Sequence, residues 1–382
     1  MAGSNNQKSK KSSFFRILIV FLTFVFGLSL ILSYLASFIS PDKIWIVAFF
    51  GISYPFLLLI NLLFFLYWLL LRKLYFIIPL LIILIGWIHL RSLIGVHKSM
   101  KKVDTTQLIK VISYNVRNFD LYNYKKGWEL NFEKRNKIFD LIKKESANII
   151  CFQEFCYDAT GKFSTLDTLI KFQKAIYFQT EYTNDPKSVN KFGVATFSKY
   201  PIIHKGKIIF TPKTNNVCIF SDVIINKDTV RIYNVHFESI KLSKEDIDLA
   251  EDLSHINKPE GNKVELKEKS VRLLKRLKNA FIKRAPQARL VANSIDKCKY
   301  PIILCGDFND TPTSYVYHLV SSRLIDSFVE SGRGFGQTYI GLLPTFRIDY
   351  IFYSNEFKSL AFQTIHNNLS DHYPIISDIK KK

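Results

Sequence analysis

The chain has 382 residues, 48% of them hydrophobic, and a formal net charge of +21. That length allows two domains. The charge suits phosphate-bearing molecules or an anionic membrane surface, while five cysteines with no Cys-x-x-Cys pair argue against a disulfide framework and against a structural zinc site.

Residues 1–13 are polar, with Lys8, Lys10 and Lys11, and are expected to form a disordered cytosolic tail. Residues 14–95 are almost wholly apolar and read as a membrane domain. Three runs within it, 14–39, 44–71 and 74–94, reach the ~20 residues that a membrane span needs. Turns at Ser40-Pro41-Asp42-Lys43 and Arg72-Lys73 separate them, and Pro55 is expected to be tolerated inside the second. The first run is too long for a signal-peptide core and lacks a small-residue cleavage pattern. Three spans leave the two ends on opposite sides. Lys8, Lys10, Lys11, Arg16, Arg72 and Lys73 assign the N-terminus to the inside, although Lys98, Lys101 and Lys102 follow the third run and count against that orientation. The expectation is an integral protein of a bacterial inner membrane with an extracytoplasmic catalytic domain and the lipid bilayer as a partner.

Residues 96–107 read as a linker. Beyond them strands and helices alternate through 108–380. Strands are expected at 108–115, 148–154, 192–197, 208–210, 217–225, 229–236, 302–307, 350–353 and 375–379, and helices at 134–144, 163–175 and 267–294. Residues 240–265 are charged and contain Pro259 and Gly261, which marks a surface insertion. Many strands with few helices suggest two packed sheets flanked by helices, an α/β or α+β sandwich.

Several apolar runs end in polar residues of one chemical kind. Val111-Ile112-Ser113-Tyr114 leads to Asn115, and Ile149-Ile150-Cys151-Phe152 leads to Gln153-Glu154. Tyr233-Asn234-Val235 leads to His236. Pro301-Ile302-Ile303-Leu304-Cys305-Gly306 leads to Asp307-Phe308-Asn309, where side chains two apart on an extended backbone face the same way. Arg347-Ile348-Asp349 and Ser370-Asp371-His372 follow. Acids, amides and histidines delivered to one sheet edge supply what metal-assisted hydrolysis of a phosphoester needs: oxygen ligands for a hard cation, an oriented water and donors to phosphoryl oxygens.

In this order these segments, together with Gly193-Val194-Ala195-Thr196-Phe197-Ser198-Lys199-Tyr200-Pro201, resemble the endonuclease/exonuclease/phosphatase superfamily. That group includes deoxyribonuclease I, abasic-site endonucleases, neutral sphingomyelinases and inositol-polyphosphate 5-phosphatases. The resemblance covers about residues 108–380 and implies a four-layered sandwich and a Mg²⁺-dependent phosphoester hydrolase, with Mn²⁺ as a substitute ion. It implies Glu154 as the main metal ligand, Asn115 as a neighbouring metal or phosphate contact, and Asp371 as a further metal-site acid. Asp307 resembles the residue that orients or deprotonates the attacking water, and Asn309 the one that holds the phosphoryl group. His372 steadied by Asp349 resembles the pair at the scissile phosphate. His236 stands where abasic-site endonucleases carry tyrosine, which argues against base-excision repair and leaves it a candidate acid for the leaving oxygen. Arg347 is read as supporting the Asp349 strand. The expected substrate is nucleic acid, with a phospholipid diester or an inositol-phosphate-type monoester as alternatives and a non-catalytic scaffold as a third.

Overall fold

The computed structural model describes residues 2–97, 108–173, 177–211, 214–240, 263–340 and 346–382. Most of the expected linker and insertion lie outside them. The chain divides into two compact units, Met1–Leu93 with Thr313–Tyr315, and Ile94–Pro312 with Val316–Lys382.

In the first unit, the apolar sequence is helical. Ala2–Leu35 is one helix, and its segment Phe14–Leu35 is long and apolar enough to cross a membrane. The polar leader expected to be disordered continues this helix, because extending an existing helix costs far less than nucleating one. The other two apolar runs are not straight spans. Helices Ile46–Ile52 and Tyr54–Leu70 meet at a 66° bend, with Pro55 at the start of the second. Proline lacks the N–H that an interior helical position must donate, so it opens a new helix instead of sitting inside one. The third run bends by 66° between Leu74–Ile85 and Trp87–Leu93. The break falls at Gly86, a residue with a weak helix preference.

The second unit contains fourteen strands among its described residues: β1 (Gly95–Val96), β2 (Leu108–Asn115), β3 (Ile149–Asp158), β4 (Tyr177–Tyr182), β5 (Asn190–Ser198), β6 (Ile202–Ile209), β7 (Val217–Ile225), β8 (Asp228–His236), β9 (Ile302–Asp307), β10 (Ile325–Asp326), β11 (Arg333–Gly334), β12 (Asp349–Tyr353), β13 (Phe357–Thr364) and β14 (Ile375–Lys381). One six-stranded sheet has the order β10-β12-β9-β8-β7-β6 and the other β13-β14-β2-β3-β5-β4, while β1 pairs with β11. Among the described residues, only the central pairs β2–β3 and β8–β9 are parallel.

The central strands are apolar on both faces, as strands covered on both sides must be. Between the sheets, Val111, Ile149 and Cys151 pack with Ile232, Ile303 and Ile351. The outer face of one sheet is covered through Ile138, Phe139 and Ile142 of helix Glu133–Glu145 and Leu169 of helix Leu166–Gln173. The outer face of the other is covered through Ala288, Val291 and Ile295 of helix Lys263–Asp296. The result is the expected four-layered sandwich.

Arg347 has the structural role expected of it. Its guanidinium is buried, donates to Asp326 Oδ2 at 2.7 Å and lies over the rings of Phe328 and Tyr350. Removing one partner of a buried ion pair leaves a charge without compensation, at a cost of about 3–5 kcal/mol. Arg347→Met is therefore expected to lower unfolding stability by that amount in urea titration, and adding Asp326→Asn should recover part of the loss.

Candidate active site

Parallel strands end at the same edge, so parallel pairing gathers their terminal residues. Asn115 at the end of β2 lies opposite Gln153 of β3, and His236 at the end of β8 lies opposite Asp307 of β9. β12 runs antiparallel and enters at that edge, with Asp349 opposite Asp307. The segment Ser370-Asp371-His372 reaches the same place, since the Ser370 hydroxyl donates to the Asn115 carbonyl at 2.8 Å. Gly306 is required here, because a Cβ on it would lie 2.1 Å from the Val235 carbonyl of the neighbouring strand.

The structure brings Asn115, Glu154, His236, Asp307, Asp349 and His372 together. Asn115 Nδ2 donates to Asp307 Oδ2 at 2.9 Å and lies 3.3 Å from Glu154 Oε1, so one amide spans both carboxylates. His236 Nε2 is 3.7 Å from Asp307 Oδ2 and 3.9 Å from Glu154 Oε1. It has no hydrogen-bond partner among the described residues. His372 Nδ1 is 2.8 Å from Asp349 Oδ2, and its Nε2 is 3.8 Å from Asp307 Oδ2. Asn309 sits beside them. Its backbone N–H donates to Asp307 Oδ1 at 2.8 Å, and its side-chain amide donates to the Phe237 carbonyl at 3.1 Å. Asp371 stands at the rim, 3.6 Å from the Arg117 guanidinium. Asp310, the next acid after Asn309, is buried 3.5 Å from the buried Arg284.

Two of these residues are held in the left-handed region, Glu154 at φ 49° and Asn309 at φ 52°. At Glu154 the register of β3 against β5 shifts between Phe152 and Phe155. A bulge of this kind re-aims a side chain that regular pleating would point elsewhere.

Charge at the site is poorly compensated. Burial, and then the Asp371 carboxylate, raise Glu154 above the usual carboxylate range. Burial, and then Asp349, push Asp307 up to about 6, opposed by the two histidines and the Asn115 amide. Burial lowers His236. Burial would lower His372 too, but Asp349 and Asp307 outweigh it and raise that imidazole well above its usual value.

Ligand atoms of Asp307, Asp349 and His372 lie within 4.8 Å of one another. The close His372–Asp349 contact accounts for that grouping, because an imidazole nitrogen held by a carboxylate is not free for a cation. The oxygen donors that fit a hard divalent ion are those of Glu154 and Asn115, with Asp371 at the rim. Burial and the Asp371 carboxylate both raise Glu154, and a cation there would compensate that negative charge.

Beneath the site lies a residue that strand-end reasoning passes over. Asn234, buried on β8, donates to the carbonyls of Phe152 at 3.1 Å and Ala195 at 3.0 Å, and accepts from Gln153 Nε2 at 2.8 Å. It ties one sheet to the other under Glu154. The signal in the sequence is a lone amide within Val230-Arg231-Ile232-Tyr233-Asn234-Val235.

Residues 112–372 match the Endonuclease/Exonuclease/phosphatase family, and residues 16–93 match a domain of unknown function (DUF8431). The chain is 24% identical over 346 residues to the CCR4-Not complex 3'-5'-exoribonuclease subunit Ccr4 of Debaryomyces hansenii, across 73% of this chain and 40% of that protein. It thus spans well under half of that relative's length. The human Nocturnin catalytic domain with bound sulfate anion is similar at a TM-score of 0.51 and 19% identity, over 72% of this chain and 94% of that one. An endonuclease/exonuclease/phosphatase from Bacteroides vulgatus is similar at a TM-score of 0.51 and 15% identity, over 72% of this chain and all of that one. These two likenesses concern the fold.

Leaving buried polar groups unpaired costs about 1–3 kcal/mol each. Asn234→Ala is therefore expected to destabilise the protein by at least about 2 kcal/mol in urea titration. It should also slow phosphoester hydrolysis under conditions where the variant remains fully folded, because Glu154 loses its support.

Proposed function

The chain belongs to the Endonuclease/Exonuclease/phosphatase family and is a hydrolase of phosphoester bonds; from that premise we propose that it is a Mg²⁺-dependent phosphodiesterase of nucleic acid, tethered to a membrane. In this reading residues 14–95 form the anchor, 96–107 the linker and 108–380 the catalytic domain, held on the extracytoplasmic side. The observation that carries the reading is the Asn115 amide set between the half-buried carboxylate of Glu154 and the buried carboxylate of Asp307.

Glu154 and Asn115, with Asp371 at the rim, would hold the ion. Bound Mg²⁺ supplies charge neutralisation on the phosphate and orients water for in-line attack. Asp307 is fixed by two N–H donors, from Asn309 and Asn115, and takes up the proton of the attacking water. The Asn309 amide spends one N–H on the Phe237 carbonyl and offers the other to a phosphoryl oxygen. His236, whose Nε2 has no other hydrogen-bond partner among the described residues, faces the departing oxygen. His372, gripped by Asp349, presents a cationic edge to the phosphate. Each of these groups stabilises charge that grows during the reaction.

A second reading keeps the chemistry and changes the substrate to a phospholipid head-group diester. The membrane-length helix Phe14–Leu35 favours it, because a tether raises the local concentration of lipid. The test offers plasmid DNA, RNA, phospholipid vesicles and a chromogenic phosphodiester to the full chain in detergent, with Mg²⁺ or with a chelator. Nucleic acid should be cleaved only with Mg²⁺, and Asp307→Ala should lower the rate by about 10²–10⁴-fold. Head-group release with nucleic acid left intact would favour the lipid reading. Activity kept under full chelation, or in Asp307→Ala, would contradict the mechanism.

A further inference from the structure

The segment that leaves Asn115 does not return directly to the sheet. Arg117, Asn118, Phe119 and Asp120 all have positive φ, between 43° and 60°. They form a left-handed turn that L-residues adopt only at a cost, and Phe119, fully buried, anchors it. The turn projects Leu121–Trp128 from the edge where the site residues gather. This loop is braced rather than loose. Asn123 N–H and Nδ2 both reach Asp120, at 3.0 and 2.9 Å, and Lys134 pairs with the same carboxylate at 3.2 Å. Lys125 N–H donates to the Glu129 carbonyl at 2.9 Å, and Trp128 N–H to the Lys125 carbonyl at 3.2 Å.

What the loop displays is unusual for a surface. Trp128 is 84% exposed and sits at φ 64°, a conformation costly for a bulky side chain. Tyr124 is 38% exposed, with its ring 5.8 Å from that of Trp128. Exposed Lys125 and Lys126 lie between them in sequence, and no acid occurs from Leu121 to Trp128. Flat rings interleaved with cations match one ligand chemistry, unpaired bases on a phosphate backbone. A membrane wedge would display aliphatic side chains as well, yet Leu121, the loop's one aliphatic residue, is buried at 3% exposure.

We propose that Tyr124 and Trp128, with Lys125 and Lys126, form a platform that binds a single-stranded segment of nucleic acid flanking the scissile phosphate. The ring of Trp128 takes a base face and the lysines take backbone phosphates. A duplex hides its base faces and gains only the lysine contacts. This inference rests on the nucleic-acid reading of the site and names the strand state of its substrate.

The test uses the full chain in detergent micelles with chelator present, so that binding is read without cleavage. Trp45, Trp68 and Trp87 are the other tryptophans, so the emission of the wild type minus that of Trp128→Phe isolates the loop. Single-stranded oligonucleotide should quench that difference signal. Trp128→Ala should weaken oligonucleotide binding at least about tenfold, with Trp128→Phe retaining most of the affinity. Hydrolysis of the small chromogenic phosphodiester should be the same in all three, which also shows that the variants fold. Unchanged oligonucleotide affinity in Trp128→Ala, with the wild type still cleaving nucleic acid, overturns the platform alone. Quenching by phosphatidylglycerol vesicles but not by oligonucleotide also overturns it and assigns the loop to a membrane surface. A wild type that hydrolyses the chromogenic diester but neither binds nor cleaves nucleic acid overturns the substrate reading and the platform together.

Discussion

Two parallel strand pairs at the centre of the sandwich govern everything at its functional edge. Because β2 and β3 run the same way, and β8 and β9 likewise, four chain segments arrive at one rim and leave their polar ends there. Antiparallel neighbours would have sent alternate ends to opposite rims. β12 contributes Asp349 by starting where β9 stops. The inter-sheet core of Val111, Cys151, Ile232, Ile303 and Ile351 keeps the two halves of the site at fixed separation, and Asn234 adds polar ties between them.

That convergence creates an electrostatic conflict. Asp307 and Asp349 are fully buried, with Glu154 close by, and burial raises both Asp307 and Glu154. The two histidines answer it in different ways. His372 is drawn to its charged form by two acids, whereas burial holds His236 towards neutrality. One site thus contains one imidazole suited to stabilising charge and one suited to moving a proton. A group of acids left this far from water favours occupation by a cation, and its oxygen donors suit Mg²⁺ better than a softer metal.

Much of this was legible in the chain. An apolar run that stops at an acid, amide or histidine is visible without coordinates, and Asp307, Asn309 and His236 lie where such stops placed them, while Asp349 opens a strand at the same edge. What escaped is whatever depends on tertiary pairing. The bulge that turns Glu154 inward arises from a register shift against β5, which no local pattern encodes. Asn234 reads as an ordinary polar residue until its partners on the other sheet are known. Strands β4 and β13 escape the pattern because the half-buried residues of β4 and the irregular mix of buried and exposed residues in β13 give little apolar periodicity. In the apolar unit, length alone suggested three straight spans; Pro55 and Gly86 carried the signal for the bends that divide the second and third. No motif in the sequence marks Tyr122–Trp128, since exposure and a positive φ at Trp128 are properties of the folded backbone.

The central claim is that the acids at this rim form a single divalent-cation site organised by Glu154. Its most direct test is a Mn²⁺ titration of the full chain followed by electron paramagnetic resonance, in which bound ion loses its free-ion signal. The account predicts one tight ion per chain in the wild type, displaced by Mg²⁺, and loss of that tight site in Glu154→Gln. An unchanged count and affinity in Glu154→Gln, or no tight ion in the wild type, would contradict it.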